Sequence, residues 1–395
     1  MSNLLPLPAD IVWPMAIALA WLTGELCARW IGLPRISIYG LTGFLLATTQ
    51  TGFIPPADNS NMLLLANFAF GLILFEFGYH INLRWLRSNP WIGVTGLVES
   101  VSTFAIVYII AQWYGTNVLN SLLLASLAMS TSPAGILCII NDQRSSGQVT
   151  ERLLHLTAIN CVLAVVLFKV ILGISVLHNT GSLWTAMSGS LIFLFASIII
   201  GSLFGILVPG LMRRLGNLER DGTIAFALAI ILLVAITHVA KLSPILATLT
   251  FGLVTRHRRI VLSHTRRNFG VLGELLTVLM FVFVVSTLDW NLVLAGSGLA
   301  AILIVARILT KTLAVAIFSH VSGVSWRKGV LTGLALSPIS VFVILVLEQA
   351  RYLGITYVDE LAALAAMTLI MEVLGPVITQ RALILANESP HTREA

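Results

Sequence analysis

The chain is predicted to be an all-α polytopic membrane protein of thirteen transmembrane helices, built as two inverted six-helix repeats. Three observations predict this. Hydrophobic residues make up 57% of the 395 residues and charged residues only 10%, a balance that excludes a soluble domain. Thirteen apolar segments reach or approach the roughly 20 residues that a spanning helix needs. A short phrase also occurs twice, as Leu127-Ala-Met-Ser-Thr-Ser-Pro-Ala-Gly-Ile136 and Leu334-Ala-Leu-Ser-Pro-Ile-Ser-Val341, with Ser132 and Ser337 lying 205 residues apart.

The predicted spans are 10–28, 36–50, 62–81, 91–113, 118–141, 153–177, 184–211, 222–240, 242–255, 271–289, 292–319, 329–350 and 359–379. Span 1 follows Pro6, Pro8 and Asp10 without a basic leader, so no cleavable signal peptide is expected. Spans 2 and 9 are the shortest and are expected to be tilted or partly unwound. Span 3 carries Glu76, span 4 carries Glu99, and span 5 holds the first Ser-Pro pair. Span 6 carries Asn160, Cys161 and Lys169, and span 7 is the connector between the repeats. Spans 8–10 have no deep charge. Span 11 carries Arg307 and Lys311, span 12 the second Ser-Pro pair, and span 13 Glu372. A short tail, 380–395, follows. Cys27, Cys138 and Cys161 lie in or at the ends of spans, so they read as neither a disulfide framework nor a metal set.

The net charge of +6 invites a nucleic-acid partner, but its distribution argues against one. With loops assigned alternately to two sides, 18 of the 23 basic residues fall on one side, and only Lys241 and Arg351 on the other. Positive loops stay cytoplasmic. The N-terminus is therefore expected outside and the C-terminus in the cytoplasm, and one missed span would scramble the asymmetry. The basic 256–267 loop fits this topology and contact with anionic headgroups of the bilayer.

The Ser-Pro pairs fall seven spans apart, so the second copy is expected to run through the membrane in the opposite direction. Spans 1–6 and 8–13 then form the inverted repeats. Proline removes a backbone donor and clashes with the preceding turn. Either proline alone reads as a kink, whereas matched breaks in two halves read as a transporter binding site. Such breaks expose carbonyls and amides that are tolerated only against protein or water. Arg307 and Lys311 are four apart and share a face of span 11. Nothing in that span neutralises them, so they need carboxylates or helix C-termini from elsewhere, such as the broken ends of spans 5 and 12. Snorkelling is the alternative for Lys311. Glu76, Glu99 and Glu372 are the deepest acids. Asn160 is expected to find hydrogen-bond partners on span 5. His155 and His238 are expected at the membrane interface.

Several phrases together resemble the monovalent cation:proton antiporter superfamily, the sodium/proton exchangers and their potassium-linked relatives. Ile31-Gly-Leu-Pro-Arg-Ile-Ser-Ile-Tyr-Gly-Leu-Thr-Gly-Phe44 is similar to the family's second-span opening. Leu74-Phe-Glu-Phe-Gly-Tyr-His-Ile-Asn-Leu-Arg84 resembles its phrase of apolar residues, Gly, an acidic pair and Arg. Thr131-Ser-Pro133 falls where many members have Thr-Asp-Pro, and Asn160-Cys161 where they have Asn-Asp or Asp-Asp. Arg307 falls on the basic residue of span 11, and Glu372-Val-Leu-Gly-Pro376 resembles the last-span pattern. The resemblance implies a homodimer. Its dimerisation bundle is about 10–81 and 222–289, its linker helix about 184–211, and its core about 91–177 and 292–379. It also implies a monovalent cation and a proton as the transported partners and a bacterial inner membrane as the location.

The departures bear on chemistry. The family's central cation-binding aspartate is replaced by Cys161, and the Thr-Asp-Pro acid by Ser132. A neutral thiol is a poor ligand for a hard alkali cation. On the antiporter reading, Thr131, Ser132, Asn160, Cys161, Ser337 and backbone carbonyls line the ion site. Arg307, Lys169, Lys311, Glu76, Glu99 and Glu372 are then the compensating or coupling charges. Two other readings stay open. One is a proton-uncoupled channel, or a transporter of an anion or organic acid held against Arg307 and Lys169. The other is a membrane sensor or partner scaffold. The loops contain no nucleophile–base set, metal-ligand spacing or phosphate-binding glycine loop, so neither an enzyme nor a cofactor is expected.

Overall fold

The computed structural model describes residues 9–55, 60–177, 183–215, 222–258, 269–340, 343–344 and 362–389. Among these residues the regular structure is helical. In chain order the helices are α1 (Ala9–Trp30), α2 (Arg35–Leu46), α3 (Ser60–His80), α4 (Leu83–Ser88) and α5 (Pro90–Trp113). They continue with α6 (Val118–Ala128), α7 (Pro133–Gln143), α8 (Gln148–Leu177), α9 (Leu183–Leu215) and α10 (Gly222–Val239). The last five are α11 (Pro244–His257), α12 (Gly270–Ser286), α13 (Trp290–Ser319), α14 (Trp326–Ala335) and α15 (Ala362–Leu385). Nine helical segments among the described residues are long and apolar enough to cross a bilayer, one of them being α6 and α7 taken together. Two apolar helices, at Arg35–Leu46 and Gly273–Ser286, are shorter. The far half of span 12, with Glu348 and Arg351, and most of the basic 256–267 loop lie outside the described residues.

Local sequence explains where the helices start. Asn82, Asn117, Ser132, Ser243, Asp289 and Ser325 each accept a hydrogen bond from a backbone N–H in the first turn of the following helix. Each cap satisfies a donor that an isolated helix end leaves orphaned. The α6–α7 break is dictated by Pro133. Ser132 is extended (φ −74°, ψ 106°), its Oγ accepts from Gly135 N at 3.1 Å, and Pro133 occupies the first helical position, where its missing N–H costs nothing.

Water does not drive helix association inside a bilayer, so close backbone approach and interhelical polar contacts have to do so. α3 and α11 show the first device. A Cβ added at Gly252 would overlap the Phe75 carbonyl, and one added at Gly78 the Leu249 carbonyl. Beside this seam Phe75 packs edge-on against Phe251 with ring centroids 4.7 Å apart, and Phe226 lies 5.4 Å from Phe75. Around the α6–α7 break the contacts are polar instead. There α13 packs against α5, α14 and α15, and α6 packs against α5 and α8.

Candidate functional site

The two Ser-Pro breaks meet. Ser132 N donates to Pro338 O at 3.1 Å, and Thr131 Oγ1 donates to Leu336 O at 3.4 Å. Each break therefore satisfies part of the other's backbone, which the surrounding apolar side chains cannot do. Thr379 of α15 adds a donor to Ala335 O at 2.9 Å. Ser132 and Ser337 spend their hydroxyls locally, Ser132 capping α7 and Ser337 donating to Leu334 O.

Arg307 and Lys311 sit at this crossing, and both are fully buried. Arg307 Nε donates to Ala128 O at 2.7 Å and Nη2 to Ser130 O at 2.6 Å. Nη1 donates to Ser337 O, and Nη2 also reaches Leu336 O and Pro338 O at 3.4 and 3.3 Å. These carbonyls belong to the C-terminal ends of α6 and α14, the negative ends of their dipoles. The fork of the guanidinium thus clamps the two breaks, a task the point charge of a lysine performs poorly.

Lys311 corrects the snorkelling alternative. Its Nζ does not reach an interface. It donates to Glu99 Oε1 in a salt bridge whose partners are both fully buried, to Met129 O at 3.0 Å and to Thr131 Oγ1 at 3.3 Å. Asn160 completes the cluster, taking a bond from Ser100 Oγ at 2.7 Å and donating to Thr131 Oγ1 at 3.1 Å. Thr131 is the hub, bound by Asn160 and Lys311 while itself bonding the second break. Glu99 Oε2 and Thr157 Oγ1 are buried with no hydrogen-bond partner among the described residues. Both have lone pairs to offer.

The remaining expected residues are placed differently. Cys161 is fully buried within the apolar core. Lys169 is half-buried and nine residues past Asn160 on α8, about 13 Å further along the helix; the contacts that hold Arg307 and Lys311 do not include it. Glu76 lies in α3, where it accepts from Asn141 Nδ2 of α7 at 3.1 Å. It lines a cavity of about 360 Å³ between α2, α3, α7 and α12, together with Arg35, Asp142 and Glu274. Arg35 lies 2.9 Å from Glu25 and 3.3 Å from Asp142. Glu372 is buried where α15 meets α2.

Sequence reasoning missed Ser100, Asn141 and Asp142. The signal available for the last two was a polar pair ending an apolar span. His155, expected at the membrane interface, is packed inside the protein at 1% exposure. Its ring stacks on Trp85 at 4.6 Å, and its Nδ1 donates to Glu151 O at 2.7 Å. Stacking and a hydrogen bond together remove the need for water.

Known proteins are similar in sequence and in fold. A Na(+)/H(+) antiporter NhaP from Pseudomonas aeruginosa is 26% identical over 346 residues, 78% of each chain. Two solved structures of the sodium proton antiporter MjNhaP1 from Methanocaldococcus jannaschii share the fold. One, at pH 8, has a TM-score of 0.70 and 16% identity over 96% of both chains. The other, from electron microscopy, has a TM-score of 0.73 and 18% identity over 98% of this chain and 99% of that one. The family model described as "Sodium/hydrogen exchanger, transmembrane" matches residues 15–385, so the chain belongs to that family of integral membrane proteins.

Proposed function

We propose that the protein is a secondary transporter that exchanges a monovalent cation for a proton by alternating access. The observation that carries this reading is the buried Glu99–Lys311 pair beside Thr131 and Asn160. The carboxylate that the family places on span 6 is absent, and a carboxylate from α5 stands at the crossing instead. A cation taking the place of Nζ at Glu99 keeps the carboxylate neutralised. Lys311, deprived of its partner in a dry site, releases its proton. One cation bound and one proton released balance the charge. Thr131 Oγ1, the Met129 carbonyl and Glu99 Oε2, unpartnered among the described residues, offer the hard oxygen ligands an alkali cation prefers. Asn160 holds Thr131 in place through its amide N–H, and Ser132 and Ser337 hold the breaks.

In this reading the core, about 91–177 and 292–379, rocks against a dimerising bundle of about 10–81 and 222–289, with 184–211 as linker. The Arg35–Asp142 and Glu76–Asn141 contacts cross that boundary and would break and reform in each cycle. The N-terminus faces outward and the C-terminus the cytoplasm, in a bacterial inner membrane.

The anion reading has less support. Arg307 spends all three nitrogens on carbonyls and Lys311 has Glu99, which leaves no cation at the crossing without an acceptor. The test is proton flux in proteoliposomes driven by sodium, potassium or lithium gradients. Flux with at least one cation, abolished in Glu99→Gln, is expected. Absence of flux with all three across neutral and alkaline pH would overturn the reading.

A further inference from the structure

Among the described residues, every other deep acid has a partner. Glu99 holds Lys311, Glu76 takes a hydrogen bond from Asn141, and Glu388 accepts from Val149 N and Thr150 N at 2.8 Å each. Glu372 differs. It lies mid-helix in α15 at 3% exposure, and its carboxyl makes no ion pair or hydrogen bond with the described residues. A buried polar group in that condition calls for an explanation, and an ionised one without a countercharge is costly inside a membrane.

Its position suggests what it does. On one side α15 touches the crossing: a Cβ at Gly375 would come within 2.7 Å of Pro338 Cα, and Thr379 bonds Ala335 O. On the other side it lies on α2. A Cβ at Gly40 would come within 3.0 Å of Glu372 Cγ, and Ser37 Oγ donates to Val373 O at 2.9 Å. Glu372 therefore lies on the seam between the helix that follows the crossing and the helix that flanks the acidic cavity.

Among the described residues, the ionisable groups on the elements packed against α15 either have partners elsewhere or line the cavity. Arg35 of α2 pairs with Glu25 and with Asp142 of α7. Arg307 and Lys311 of α13 are held at the crossing. On α14, Arg327 donates to Leu385 O, and Lys328 to Gln148 Oε1 with Glu388 3.7 Å away. Tyr39 of α2 and Cys138 of α7 line the cavity, as does Glu274 of α12, the helix that supplies Val285 beside Gly40. Arg381 of α15 itself lies nine residues further along the helix.

We infer that Glu372 carries a second proton in each transport cycle, taking it up and releasing it as the α2–α15 seam opens to one side and then the other. This rests on the exchange reading above. A proton leaves Lys311 when the cation binds Glu99, and a second leaves the Glu372 carboxyl when the seam opens. Two protons against one cation move one net positive charge per cycle. Exchange is then electrogenic, and an imposed potential of about 60 mV shifts the equilibrium cation gradient about tenfold.

The test measures cation-driven proton flux in proteoliposomes with and without an imposed potential, for the wild type, Glu372→Gln and Glu372→Asp. The wild type and Glu372→Asp are expected to respond to the potential. Glu372→Gln is expected to lose that response in whatever exchange it retains. The pH-difference infrared spectrum of the wild type is expected to show a protonated-carboxyl band that Glu372→Gln lacks. Electroneutral exchange in the wild type would overturn the inference even if Glu372→Gln failed to fold. A potential response that survives in Glu372→Gln would also overturn it. Both outcomes leave cation:proton exchange standing, whereas loss of exchange in the wild type would remove the exchange reading itself.

Discussion

The α3–α11 seam and the crossing around Arg307 solve the same problem with opposite means. Both must hold helices together where no water drives association. At the seam, glycines let backbones touch and a cluster of phenylalanines fills the flanks. At the crossing, two cations, one carboxylate and a set of freed carbonyls hold four helices and two loops. The seam gives rigidity with no exchangeable group. The crossing holds charge that can be moved only if something replaces it, which is the property a carrier needs.

The sharpest way to break that contrast is to remove one member of the buried pair. Lys311→Met leaves Glu99 without its countercharge, and breaking a buried pair costs about 3–5 kcal/mol. Transport is expected to be lost and thermal stability in detergent to fall steeply. The double variant Glu99→Gln with Lys311→Met is expected to recover much of that stability and remain inactive. A double variant as unstable as the single one would mean that the pair is not a coupled unit. Arg307→Lys is expected to be nearly as damaging, because one ammonium cannot bridge Ala128, Ser130 and Ser337 together.

Changes at the seam should act on stability alone. Gly252→Ala forces a methyl onto the Phe75 carbonyl, and overpacking of this kind costs about 1–3 kcal/mol. Melting temperature is expected to drop while flux per folded molecule stays at the wild-type level. A selective loss of flux would place the seam among the moving parts.

Much of the frame was legible in the sequence because spans, breaks and deep charges are each written in a local stretch of residues. Pro133 marks a weak point in an apolar run, although Pro14, Pro209 and Pro376 sit inside continuous helices, and Arg307 and Lys311 are conspicuous in any apolar run. What could not be read is pairing. Glu99 and Lys311 lie 212 residues apart, and which acid meets which base depends on helix rotations that hydropathy does not encode. The same limit hid the Arg35–Asp142 contact, 107 residues apart in the chain. Burial of His155 depended on Trp85 from another helix. The Ser-Pro phrase was itself ambiguous. A further Ser-Pro pair, Ser243-Pro244, simply starts α11 at the seam, where Ser243 N donates to Ser197 Oγ and not to a second Ser-Pro break.

Those two helix starts allow the gentlest test. Ser132 Oγ accepts from Gly135 N at 3.1 Å, and Ser243 Oγ accepts from Leu246 N at 3.5 Å. Loss of a capping hydroxyl typically costs about 1 kcal/mol. Ser132→Ala is expected to lower stability by about that amount, and Ser243→Ala by a few tenths, because its bond is the longer. The backbone N–H of Ser243 keeps its own bond to Ser197 Oγ at 2.9 Å, so that helix start survives the change. If the hydroxyl at the crossing does no more than cap α7, cation affinity in Ser132→Ala stays within about twofold of wild type. A tenfold weaker affinity at unchanged stability would make Ser132 an ion ligand and its likeness to Ser243 one of sequence only.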